Sequence, residues 1–147
     1  MKRLLTVLAL LLVAWFGWNE LTGSGAGTGV DTAAPAANPD EIARAYESQT
    51  SAVEVAGSGV VAKILPDDND GSPHQRFILE LPSGQTVLVA HNVELAPRVG
   101  GLAVGDTIEF HGVYEWNSRG GVVHWTHDDP AGHHEAGWLR FKGQLYQ

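Results

Sequence analysis

The chain has 147 residues, no cysteine and a formal net charge of −8, enough for one ordinary domain. The missing cysteines exclude a disulfide framework, a thiolate metal site, a cysteine nucleophile and a lipobox anchor. The acidic balance disfavours broad contact with phosphate backbones, and removing residues 1–22 takes away Lys2, Arg3 and Glu20 and leaves the remainder more acidic still.

Met1-Lys2-Arg3 gives a short positive start, and Leu4 to Trp18 follows as an uncharged, almost wholly apolar run. As a helix that run covers about 22 Å, short of the ~30 Å hydrocarbon core. Basic start and short apolar stretch together predict a secretory signal over residues 1–22. No Ala-x-Ala site stands out, so cleavage and an uncleaved signal anchor with Trp15 and Trp18 at the outer interface both fit. Either way the positive end stays inside and the rest lies outside, in the periplasm or on the outer face of the inner membrane. Uncleaved, the segment makes the membrane itself a partner.

Residues 23–38 are Gly, Ala, Thr, Ser, Asn and Pro with one Val and one Asp. They cannot bury enough apolar surface to offset ordering entropy, which predicts a disordered tether. A short helix over 39–50 follows, capped by Asn38, with Pro39 in its first turn and Asp40 and Glu41 at its positive end. Ile42 and Tyr46 share one face of it.

From residue 51 to 147 the pattern is all β: short strands between Gly, Pro and Asp clusters. The expected strands are Val53–Leu65, His74–Leu81, Gln85–His91, Asp106–Trp116 and Gly121–His127, closed by a hairpin from Trp138 to Tyr146 around Lys142-Gly143. Gly57 and Gly59 mark a bend that lets the long first strand serve two sheets. Phe77, Leu79 and Leu81 share a face, as do Val87, Val89 and His91. Residues 92–105 form a crossover. Five strands, a bent first strand and that crossover suggest a small five-stranded OB-like barrel, and Val104-Gly105-Asp106 resembles a turn common in OB-type proteins. An unrelated β barrel or roll is the alternative.

All seven histidines fall between residues 74 and 134, four of them between His124 and His134. Imidazole binds divalent metals such as zinc, and carboxylates complete such sites. Along a regular strand His124 and His127 point apart, and they converge only if the chain bends first. In one arrangement His127, Asp128 and His133 or His134 gather at the barrel rim with His91 around a metal or a polar ligand, and His124 is a further candidate ligand. In the other, His124 is a hydrogen-bonded strand residue, Asp128 and Asp129 make a turn before Pro130, and the remaining histidines are solvated. No G-x-S-x-G, H-E-x-x-H or Walker string is present. Rings such as Phe77, Phe110, Tyr114, Trp116, Trp125 and Trp138 read mainly as packing, while OB barrels also use exposed rings for ligands.

The strings His74-Gln75-Arg76-Phe77-Ile78-Leu79, Ser83 to Asn92, Leu95-Ala96-Pro97-Arg98, Tyr114-Glu115-Trp116-Asn117 and Gly120 to His127 with Asp129-Pro130 resemble a family of bacterial proteins, domain of unknown function 3465, over about residues 50–147. The resemblance implies an exported, OB-like domain with a site near His91, His124 and His127. It adds Arg76, Asn92, Arg98, Glu115, Trp116 and Trp125 as candidate ligand contacts. Asp128 departs from the histidine expected there.

These readings lead to an exported binding module of the cell envelope, taking a small polar ligand, a metal or an envelope protein, and not nucleic acid. The alternative is a small metal-dependent hydrolase, such as an exported nuclease, built on the same His/Asp cluster. That alternative requires at least three of His91, His124, His127, Asp128 and His133 to converge.

Overall fold

The computed structural model describes residues 38–147. The expectations for residues 1–22, and all but the last residue of the tether, lie outside the described residues.

Helix α1 spans Pro39–Glu47 and ends sooner than the sequence predicts, because Ser48 takes the C-cap and Gln49 turns to φ 54°. Asn38 caps the start as expected, its side-chain oxygen accepting from Asp40 N at 3.3 Å. Ile42 is buried and Tyr46 packs against the core, so the face expected from their spacing is the one that docks.

Seven strands follow: β1 (Val53–Asp68), β2 (His74–Glu80), β3 (Thr86–Asn92), β4 (Thr107–Glu115), β5 (Val122–His124), β6 (Trp138–Phe141) and β7 (Gln144–Tyr146). They form one sheet in the order β1-β2-β3-β5-β4-β6-β7, and β1 also pairs with β4. Five of them, β1, β2, β3, β5 and β4, therefore close into a ring. All pairs are antiparallel except β3–β5, which is parallel.

The long first strand makes the closure. Val53 to Val60 pair with β4, and Val60 to Asp68 pair with β2. Gly57 lies under the Phe110 ring, and a Cβ at Gly59 would come 2.9 Å from the Glu80 carbonyl, so both glycines allow close approach. The register breaks fall later, between Val61 and Lys63 and between Leu65 and Asp68. The second break carries Pro66, a position where a strand tolerates the missing N–H.

Alternation along the strands fills the ring. Phe77, Leu79, Val87, Val89, Ile108 and Phe110 are all buried, and each strand turns its other residues outward. The crossover is pinned by Gln75, whose Nε2 donates to the Val99 carbonyl at 3.0 Å while its Oε1 accepts from Val99 N at 2.9 Å. Asp106 closes the turn before β4 by accepting from Ala103 N at 2.9 Å. Lys142 and Gly143, at φ 50° and 79°, make the two-residue hairpin turn that joins β6 to β7.

Candidate functional site

The fifth strand stops at His124, short of the expected His127. Trp125 takes φ 56°, a left-handed conformation uncommon for a bulky side chain, and this ends the strand. The bend brings His124, His127 and His134 around the Trp125 ring, with centroid distances of 5.4, 5.9 and 4.5 Å. His127 and His134 meet edge to face at 5.2 Å. The loop 126–137 then folds back, and Gly137 N donates to the His127 carbonyl at 2.9 Å.

Asp129 organises that loop. Its carboxylate accepts from the backbone amides of Ala131, His133 and His134. Loss of solvent pushes its pKa up, but the amides of His134, His133 and Ala131 outweigh this and hold it below the usual carboxylate value.

The loop covers the outer side of β4. Ile108, Phe110 and Tyr114 face the core, so His111, Val113 and Glu115 face the other way. Val113 pairs with Glu54 on one side and His124 on the other, which places Glu54, Val113 and His124 in one row across three strands. Glu115 Oε1 lies 3.7 Å from His124 Nε2. His111, an outward residue by position, is only 3% exposed because the loop lies over it. Its Nδ1 donates to the Ala136 carbonyl at 3.0 Å, and its Nε2 lies 2.9 Å from Glu54 Oε1 without hydrogen-bond geometry. Glu135, from the loop, completes a group: one ligand atom from each of Glu54, His111 and Glu135 lies within 4.8 Å of the other two.

None of these three residues is a candidate in the sequence. The structure does not gather the expected ligands His91, His124, His127, Asp128 and His133 into a set of three. His91 is fully buried with both nitrogens engaged: Nε2 donates to the Pro97 carbonyl at 3.1 Å and Nδ1 accepts from the Thr126 hydroxyl at 2.8 Å. Burial pushes its pKa below the ordinary 6.5, against the Pro97 bond, which pulls it up. Asp128 and His133 are exposed, and His133 Nδ1 stands 3.4 Å from Asp129. His124 and His127 do approach one another's surroundings through Trp125, as the bent-chain arrangement requires. Burial lowers the His124 pKa and Glu115 opposes that shift.

The remaining candidate contacts divide. Glu115 and Trp125 belong to the covered outer face, and Trp125 is 40% exposed. Asn92 instead caps a turn, accepting from Glu94 N and Leu95 N at 2.9 and 3.3 Å. Arg76 donates to the Pro66 carbonyl at 3.0 Å, and Arg98 pairs with Asp67, so both hold the end of β1. Trp116 packs against the core.

Five buried side-chain atoms among the described residues lack a hydrogen-bond partner: Glu54 Oε1, His111 Nε2, Trp116 Nε1, His124 Nε2 and His134 Nε2. All but the Trp116 atom lie under or beside the 126–137 loop. Each of the four has a charged neighbour without a hydrogen bond to it, at 2.9 Å between His111 and Glu54, 3.7 Å from His124 to Glu115 and 3.9 Å from His134 to Asp129, and an unsatisfied buried polar group costs ~1–3 kcal/mol, a cost that a ligand can offset.

Residues 28–147 match the family model described as protein of unknown function (DUF3465). No curated protein matches the chain.

Proposed function

The chain belongs to the DUF3465 family, and from that premise we propose that it is an exported binding module of the cell envelope whose ligand seat is the outer face of β4 and β5 beneath the 126–137 loop. The observation that carries this reading is the cluster of unpartnered atoms on Glu54, His111, His124 and His134. Those atoms call for a polar ligand. The exposed Trp125 ring, held in a left-handed backbone beside them, offers the seat an apolar wall.

The ring order β1-β2-β3-β5-β4, with its closing β1–β4 pair and parallel β3–β5 pair, supports an OB-type barrel as the scaffold. The basic start and apolar run of residues 1–18 support export. The hydrolase alternative is a second reading of the same face, and the buried polar atoms there support binding.

Two measurements test it. His124→Phe removes a buried nitrogen whose neighbour, Glu115 Oε1, stands 3.7 Å away without a hydrogen bond in the structure, and keeps a ring suited to a strand. It should raise the Tm of the unliganded protein by roughly 2–6 °C. A fall of that size would show an imidazole already satisfied by the fold and would remove the face as a ligand seat. For location, a β-lactamase fused after Gln147 should protect the host from ampicillin only when residues 1–22 are present; protection independent of them would overturn export.

A further inference from the structure

We infer that Glu54, His111 and Glu135 form a site for one divalent transition-metal ion. This deepens the reading of the outer face as a ligand seat and rests on it.

The donor set is one imidazole nitrogen and two carboxylate oxygens. Zinc-like ions bind such atoms at about 2.0–2.2 Å, so two ligands of one ion stand ~3.0–3.5 Å apart. The His111 Nε2 to Glu54 Oε1 distance is 2.9 Å, and all three ligand atoms fall within 4.8 Å. Glu54 and His111 are set by the β1–β4 pairing and are in place. Glu135 sits exposed on the loop and needs only a small inward movement.

His111 is prepared for this work. Its Nδ1–H is held by the Ala136 carbonyl, which fixes the ring and leaves Nε2 as the basic atom. Metal-binding histidines are oriented in the same way, by an outer bond at the nitrogen that does not touch the ion. Nε2 is buried, and its contact with Glu54 Oε1 lacks hydrogen-bond geometry although the distance is short. Nε2 and the Glu54 oxygen thus stand close with no hydrogen bond between them, an approach that a shared cation accounts for.

An imidazolium–carboxylate pair is the plainer alternative. It would form a charge-assisted N–H···O bond, whose geometry the contact lacks, and it would set one imidazolium, with His134 nearby, against the two carboxylates of Glu54 and Glu135. A divalent ion with a neutral imidazole balances both carboxylates. Calcium and magnesium favour all-oxygen shells, and calcium takes six to eight ligands. The imidazole therefore selects the zinc, cobalt, nickel and copper class. Three protein ligands leave a coordination position free for a ligand from outside.

The test uses the full-length chain stripped with a chelator and then titrated with Co²⁺ and Zn²⁺ alone. Wild type should take up one equivalent by elemental analysis, with visible Co²⁺ absorption bands. Glu54→Gln and Glu135→Gln should each weaken binding at least tenfold; the second lies on an exposed loop and keeps the fold. His133→Ala, also exposed, should bind as wild type. Less than half an equivalent in wild type, or unchanged binding in both glutamine variants, would overturn the metal site. The ligand seat itself then stands or falls on the His124→Phe melting shift. Binding lost in His134→Ala but kept in Glu135→Gln would place the ion on the neighbouring histidines and equally overturn this assignment.

Discussion

The Thr126 hydroxyl lies 2.8 Å from Nδ1 of His91, and this bond ties the first residue of the 126–137 loop to the end of β3. Because Nε2 is committed to the Pro97 carbonyl, Nδ1 can only accept, and Thr126 must donate. Both residues are fully buried. Thr126→Val keeps the shape and removes the donor, leaving a buried imidazole nitrogen unsatisfied. The expected cost is ~1–3 kcal/mol, read as a lower midpoint in urea with an unchanged slope.

The same buried ring sets a pH dependence. The His91 pKa in the folded chain lies below its ordinary 6.5, so the unfolded chain binds the proton more tightly. Its contribution is therefore fully present above pH 6.5 and is lost as the pH falls from there toward the folded pKa. His124 shifts in the same direction and adds to the effect. Melting temperatures should be flat above about pH 7 and decline through the acid side of 6.5. In His91→Gln, a decline as steep as wild type would show that other groups drive the acid loss.

Gly137 is the second clamp on the loop. A Cβ there would run into the Trp125 carbonyl, and it would also stand 2.9 Å from the His111 carbonyl. Backbone cannot yield as a side-chain tip does. Gly137→Ala should lift the loop, exposing His111 and destabilising the domain by about 1–3 kcal/mol. Hydrogen exchange should show faster exchange at the backbone amide of position 137, and the Co²⁺ affinity should fall with it.

Much of the ring was legible because its strands alternate. Phe77, Leu79 and Leu81, and then Val87, Val89 and His91, carry the inward face in sequence and in space. The turn at Lys142-Gly143 and the cap at Asn38 are local chemistry, and local chemistry reads well in one dimension. The end of β5 is different. Val122-Val123-His124-Trp125-Thr126 is a good strand sequence, yet Trp125 takes φ 56° and the strand ends at His124. His111 was invisible for a related reason. Alternation puts it on the solvent side of β4, and its burial depends on the loop around Glu135 and Ala136, more than twenty residues downstream. Glu54 and Glu135 look like ordinary surface acids until β1 and that loop are folded against β4. The crowding of histidines drew attention to 124–134, while the three ligand atoms that lie together, on Glu54, His111 and Glu135, sit on either side of that segment.

The pairing of β1 with both β2 and β4 has a consequence for how the chain matures. Val53 meets Tyr114, so the seam between them cannot be sewn until synthesis has delivered the fourth strand. Any truncated product that stops before Thr107 leaves half of β1 as bare edge, with Val53 and Val55 still seeking a partner. Such fragments should collect in aggregates, and nonsense variants in the first two-thirds of the gene should behave as insoluble chains.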